Sequence, residues 1–159
     1  MKIKNIDLTK KSVQIIPIIK GDQEIIFQAE CVTDYTQFDA LVKKIEPPMR
    51  INKGETIARP NFESPDYKKS IEDYASKQTS WMILKSLEAT EGLTWETIDM
   101  SNPSTWNNFE KELKAANFND YQIIQIIKGV IQANGLDDTK VEAARKSFLA
   151  TKQAAEKLN

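Results

Sequence analysis

No histidine occurs in the 159 residues of this chain. That removes the commonest general base and the commonest zinc ligand. A single cysteine, Cys31, is present. One thiol makes no intramolecular disulfide, completes no structural zinc site and has no imidazole to activate it, so Cys31 reads as a small buried side chain. The five glycines stand apart at 21, 54, 92, 129 and 135, which excludes a glycine-rich phosphate cradle. Neither sign of charge is in excess. With 22 basic and 23 acidic residues and a pI near 5.6, the chain has no general attraction to nucleic acid or to an anionic membrane. No apolar run reaches the length of a membrane span, and the opening MKIKNIDLTKK lacks the apolar core of a signal peptide. The expectation is a soluble, intracellular protein that is not an enzyme and carries no cofactor or metal.

What is present points to helices. Ser64 is a good N-cap, Pro65 suits the first helical position, and neither Gly nor Pro recurs until Gly92. This predicts a central helix over 65–90, roughly 38 Å long. Tyr67, Ile71 and Tyr74 share one face of its first half. Trp81-Met82-Ile83-Leu84 makes its second half apolar nearly all round, so later elements must cover it.

Residues 1–10 have no period and read as a flexible or extended arm. SVQIIPII (12–19) favours a strand, with Pro17 marking an edge or bulge. After a Gly21-Asp22 turn, Ile25, Phe27, Ala29 and Cys31 alternate with Glu24, Gln28 and Glu30, which predicts a β-hairpin with one buried face. Two strands alone are barely stable, so the hairpin must lie on helices or join strands of another copy. Residues 35–45 predict a short helix with Phe38, Leu41, Val42 and Ile45 inward, capped by Asp34 or Thr36 and ended by Pro47-Pro48. The stretch 46–63 has no usable period and reads as an irregular, mobile loop.

Beyond Gly92, the linker carries Leu93, Trp95, Ile98 and Met100 at spacings that fold back on the helix. A helix near Ser104 places Trp106, Phe109 and Leu113 on one face. The next, capped by Asn119, has Ile123, Ile124, Ile126, Ile127, Val130 and Ile131 as a broad core arc and ends at Asn134-Gly135. A last helix opens at Asp137 or Thr139 and runs toward Leu158, with Val141, Ala144, Phe148 and Ala155 as a stripe, Leu149 to one side and a fraying end. The fold class is therefore α+β and mostly α-helical: an N-terminal hairpin on a bundle of about five helices with one long central helix. The expected division is 1–33, arm and hairpin, and 34–159, helical, the two forming one compact unit.

Three features bear on chemistry. Glu88, Glu91, Glu96 and Asp99 could hold a divalent cation or act as an acid–base pair, but no fixed ligand spacing is present and a solvated turn accounts for them. Lys43, Lys44, Arg50, Lys53 and Arg59 bias the proline-rich loop toward phosphate, yet Glu46 and Glu55 interrupt them and no aromatic platform is interleaved. Trp81 and Trp106 read as core, while Trp95 reads equally as core or as an interface anchor.

The order of several motifs resembles the tail assembly chaperones of tailed bacteriophages. These motifs are EPPMRINKGE before the long helix, Asp66-Tyr67 opening a helix that reaches Trp81-Met82, Leu84 and Lys85-Ser86-Leu87, then Leu93-Thr94-Trp95-Glu96, Asn102-Pro103-Ser104-Thr105-Trp106, and ANGLDDTKVEAARKSFL. Together they span roughly residues 40–150. The resemblance implies a protein without catalytic residues. It would bind the tape measure protein, and tail tube subunits as well or instead, in the host cytoplasm before the tube polymerises, and be absent from the virion. Candidate partner-binding residues are Pro47, Pro48, Met49, Tyr67 and Trp95, with Ile127, Ile131 and Leu149 on the C-terminal helices. The alternative is a structural virion component, such as a head-completion, tail or decoration protein, whose hairpin edge adds strands between copies in a homo-oligomer.

Overall fold

The computed structural model describes residues 2, 3, 6, 7, 9 and 11–157, without the side chains of residues 2, 6, 7, 140, 148 and 150–157. In chain order the elements are β1 (Lys2–Ile3), β2 (Ile6–Asp7), β3 (Val13–Lys20), β4 (Gln23–Glu30), α1 (Thr36–Leu41), β5 (Met49–Arg50), β6 (Arg59–Pro60), α2 (Pro65–Leu87), a 3-10 turn (Pro103–Asn108), α3 (Phe109–Ala115), α4 (Asp120–Ala133) and α5 (Asp138–Lys157). The class is α+β and mostly helical, as expected. Of the arm at 1–10, Lys2–Ile3 pairs with Ile6–Asp7 as β1 and β2, and Thr9 lies in a turn. Residues 1, 4, 5, 8 and 10 and the end of the last helix at Leu158 lie outside the described residues. The chain forms two compact units interleaved in sequence. One comprises 1–31, 86–91 and 124–159; the other comprises 32–85 and 92–123.

In the first unit, β3 and β4 form the expected hairpin around Gly21-Asp22, with Ile16 opposite Phe27 and Ile18 opposite Ile25. Gly21 adopts φ +61°, a left-handed conformation that suits a two-residue hairpin turn. Ile16, Ile18, Phe27 and Ala29 are buried. The hairpin rests on α4 at Gly129, where an added Cβ would lie 2.3 Å from Ile16 Cδ1 and Cγ1. Polar side chains complete the join. The Ser86 hydroxyl donates to the Glu30 carbonyl (2.7 Å) and accepts from the Asn134 side-chain Nδ2 (3.3 Å). The Thr90 hydroxyl accepts from the Gln28 amide (2.8 Å) and donates to the Gln28 carbonyl (2.9 Å). Cys31 is half-buried, not enclosed, because it lies just past the last residue of β4, where the paired ladder has ended.

The second unit is built on aromatic rings. Phe38, fully buried, lies 5.7 Å from the Trp81 ring, 5.9 Å from Trp106 and 5.5 Å from Tyr74. Trp81 and Trp106 are core, as their positions on apolar helix faces imply. α1 is shorter than expected: the Val42 amide closes the last bond to the Phe38 carbonyl (2.8 Å), and Val42 itself is extended. Leu41 and Ile45 are consequently exposed, and Pro47-Pro48 does not end the helix. Asp34 accepts from the Thr36 amide and hydroxyl and shapes the entry to α1. α2 ends at Leu87, before the expected 90, and Ile71 is exposed at the margin of the face that Tyr67 and Tyr74 share.

Helix ends follow local chemistry. Asn119 and Gln122 exchange side-chain-to-amide bonds, each 2.9 Å, as a reciprocal box opening α4. At its other end the Leu136 amide reaches Ile131 and the Gly135 amide reaches Gln132, with Gly135 at φ +66°, a Schellman ending. Asn117 does the same for α3 at φ +61°. Asp137 caps α5 through Thr139.

Two expected apolar faces are only partly seated. Ile123, Ile126 and Val130 are buried, Ile127 and Ile131 are half-buried, and Ile124 is exposed. Each residue turns about 100° further round the helix, and Ile124 sits at the far edge of the arc. On α5, Val141, Ala144 and Leu149 are exposed. A stripe built largely of alanine offers little area to bury. Phe148 and Ala155 have side chains outside the described set.

Candidate functional site

The segment 46–63 is partly ordered by pairing, contrary to the expectation of wholly irregular chain. Met49 pairs with Pro60 and Arg50 with Arg59, and the Asn61 amide donates to the Pro48 carbonyl (2.7 Å). A turn at the tip is closed by the Glu55 amide on the Asn52 carbonyl (3.0 Å), with Gly54 at φ +89°. Arg59 lies 3.6 Å from Glu55, so part of the basic bias is answered locally. The ladder holds large apolar side chains in solvent. Met49, Ile51, Ile57 and Phe62 are between 59% and 69% exposed. Phe62 stacks edge-on to Tyr67, ring centres 6.1 Å apart, so it is propped outward.

Beside this segment run two open depressions of about 240 and 370 Å³, which share Ile45 and Ser70. Leu41, Val42 and Tyr74 line the first, Pro48 and Tyr67 the second. Their polar rim carries Lys43, Asp73 and Lys77 at one end and Glu46 and Asp66 at the other. Lys77 and Asp73 pair at 2.7 Å across one helical turn. Ser70, shared by both depressions, donates its hydroxyl to the Asp66 carbonyl (2.8 Å). Chemically the arrangement can bind an apolar stripe with charged flanks.

Of the eight candidate residues, Pro48 and Met49 are exposed in this region, and Pro47 and Tyr67 are half-buried in it. Trp95 is half-buried in the linker of the same unit. Ile127, Ile131 and Leu149 belong to the other unit. Sequence reasoning missed Ile51, Ile57 and Phe62. Their signal was three large apolar residues in a stretch with no period to bury them.

Comparison with family models, with curated proteins and with solved structures finds no match. No helix among the described residues is long and apolar enough to cross a membrane.

The acidic residues at 88–99 are divided between the two units. Glu88 and Glu91 lie in the first unit, Glu96 and Asp99 in the second. Among the described residues, no three His, Cys, Asp or Glu side chains are placed to hold a metal ion. Asp99 instead accepts from the Ser101 hydroxyl (2.7 Å) and amide (2.8 Å), which lower its pKa. Glu112 pins the linker. Its carboxylate accepts from the Glu96 amide (2.9 Å), the Thr97 amide (2.6 Å) and the Thr97 hydroxyl (2.5 Å). Partial burial raises its pKa, but those bonds outweigh burial and the net shift is downward.

A carboxylate with a depressed folded pKa stabilises the fold above its unfolded value and loses that contribution as pH falls through the folded value. The linker around Thr97 is therefore expected to loosen below about pH 4 while remaining insensitive to pH between about 6 and 8. Amide exchange at Glu96 and Thr97, followed as a function of pH after correction for intrinsic rates, checks this. Glu112→Gln should abolish the acid step, and an unchanged profile in that variant would count against the pinning role.

Proposed function

We propose that the chain is a non-enzymatic tail assembly chaperone of a tailed bacteriophage. It acts in the host cytoplasm and holds the tape measure protein, tail tube subunits or both until the tube forms. One observation carries the structural side of this reading: Met49, Ile51, Ile57 and Phe62 are held in solvent on the segment whose Pro48 joins Ile45 and Tyr67 in lining an open depression flanked by Glu46 and Asp66. Such a surface suits an amphipathic helix laid into a groove, which is how a long helical client presents its apolar stripe. The motif order over roughly 40–150 supplies the family, and the absence of histidine from the sequence agrees with a protein that grips and does not transform.

Co-expression with the tape measure protein and pull-down tests the proposal. Met49→Glu combined with Phe62→Glu is expected to weaken capture by about tenfold or more, the effect of losing central apolar anchors. Thermal stability should be nearly unchanged, because both side chains are already in solvent. A client recovered equally by the double variant would overturn the assignment of this surface. The second reading, a structural virion component, draws on the solvent-facing apolar side of the hairpin. Mass spectrometry of purified particles separates the two, since a chaperone is missing from them and a subunit is not.

A further inference from the structure

The short β5–β6 ladder sets two cations against each other. Arg50 and Arg59 are directly opposite across it. Like charges in that position destabilise a strand pair, and a ladder of two residues a side has little to set against the cost. Among the described residues only Glu55 answers them. Its carboxylate stands 3.6 Å from Arg59 Nε, beyond hydrogen-bond length, and also accepts from the Asn52 side chain at 3.3 Å. Arg50 has no acidic partner among the described residues. Both arginines are exposed, and each offers a planar fork of donors that matches a carboxylate.

The pair adjoins the second depression. The Asn61 amide on the Pro48 carbonyl carries the pairing one residue beyond β5, so Pro48 and Arg50 share a face of the strand. Pro48 lines the depression with Ile45 and Tyr67, and Glu46 and Asp66 stand on its rim. Charge along this stretch is therefore polarised: two carboxylates, an apolar floor, then two guanidiniums. The segment 46–63 as a whole carries three basic and three acidic residues. A polyanion such as a nucleic-acid backbone finds no net attraction in a balanced segment, and Glu46 and Asp66 repel it. A polypeptide can match the pattern, with an acid at one end, a base at the other and apolar residues between. In a helix, an acidic first turn and a basic last turn is also the order that its own dipole favours. The reach from residue 46 to residue 50 is at most about 14 Å, the rise of roughly nine helical residues.

We infer that Arg50 and Arg59 form a carboxylate clamp. Its ligand is an acidic side chain in the first turn of an amphipathic helix, whose apolar stripe lies in the depression and whose last-turn cations meet Glu46 and Asp66. In the free chain Glu55 partly fills this role for Arg59; a bound carboxylate serves both forks and offsets the like-charge conflict. The inference rests on the reading of this segment as a polypeptide-binding surface, and adds the polarity of what it takes.

Titration calorimetry of the full chain with two synthetic helices tests it. Both carry a leucine stripe and lysine in the last turn. One has glutamate in the first turn, and its twin has glutamine there. The wild-type chain is expected to bind the glutamate helix about fivefold more tightly. Arg50→Gln combined with Arg59→Gln should erase that preference while circular dichroism and melting temperature hold, since both residues are in solvent. Equal binding of the twins by the wild-type chain overturns the inference. So does a preference that survives the double variant, a failure to bind either helix, or tighter binding of polyglutamate, which would mark a polyanion site. An arginine-dependent preference without capture of the tape measure protein would uphold the clamp and count against that client. Capture of that protein with the twins bound alike would do the reverse.

Discussion

Trp106→Ala is expected to destabilise the unit formed by 32–85 and 92–123 by about 3–5 kcal/mol, the range for emptying a buried large aromatic site. For a chain of this length that is a fall in melting temperature of roughly 10–15 °C. Three losses combine. The indole is fully buried, its ring stands 5.9 Å from Phe38, and its Nε1 donates to the Asp99 carbonyl at 3.2 Å. Phe38, the ring against Trp106, belongs to α1 and is itself held by Trp81 and Tyr74 of α2, which limits how far it can move to refill the space. Trp106→Phe should cost less, because only the second ring and the bond to Asp99 go. Denaturant unfolding of the three proteins checks the order. A loss for Trp106→Ala below about 1 kcal/mol would mean that the cluster can collapse onto the gap.

The second large effect is expected at Gly129, which is a close-contact residue inside a helix. Alanine there gains about 1 kcal/mol of helix propensity, set against an overpacking cost of about 1–3 kcal/mol. Its new carbon would sit 2.3 Å from two atoms of Ile16, itself buried and β-branched. Gly129→Ala should thus be neutral to destabilising. Gly129→Val brings further atoms into the same contact with little propensity gain, and should lose about 3 kcal/mol or more. The diagnostic is coupling with Ile16→Ala. That change alone costs about 2–5 kcal/mol through the cavity it leaves, but in the Gly129→Val background the new side chain occupies part of that cavity. The double variant should be more stable than the sum of the two losses by about 1 kcal/mol or more. Strict additivity would show that the helix and hairpin do not meet at this point.

Much of the architecture was legible because local chemistry agrees with the final fold. The alternation from Ile25 to Ala29, the Gly21-Asp22 turn, Pro65 after Ser64, the Asn119 and Asp137 caps and Asn134-Gly135 each mark a boundary that the structure keeps. What stayed hidden depends on distant partners. SVQIIPII is apolar at both parities, so its pattern does not say which side faces solvent; the register with β4 decides it, and leaves Ile15 and Ile19 outside. The β5–β6 ladder has two residues a side, too short for any period to register. The grip of Glu112 on residues 96 and 97 spans sixteen positions and carries no local mark. Gly129 was visible as an isolated glycine within a helical pattern, a known sign of close approach, but nothing in the sequence names Ile16 as the neighbour. For the candidate site, EPPM pointed to the right loop, while Ile51, Ile57 and Phe62 lacked any pattern that assigns them outward.

All three tryptophans and all four tyrosines fall within 32–85 and 92–123, whereas the hairpin with its attendant helices carries only phenylalanine rings. Near-ultraviolet absorbance and emission from this chain therefore report on one compact unit and are blind to the other, while far-ultraviolet dichroism sees the helices of both. Melting curves from the two signals superimpose only if both units come apart together. A lag between them would time the two events separately, with no label attached.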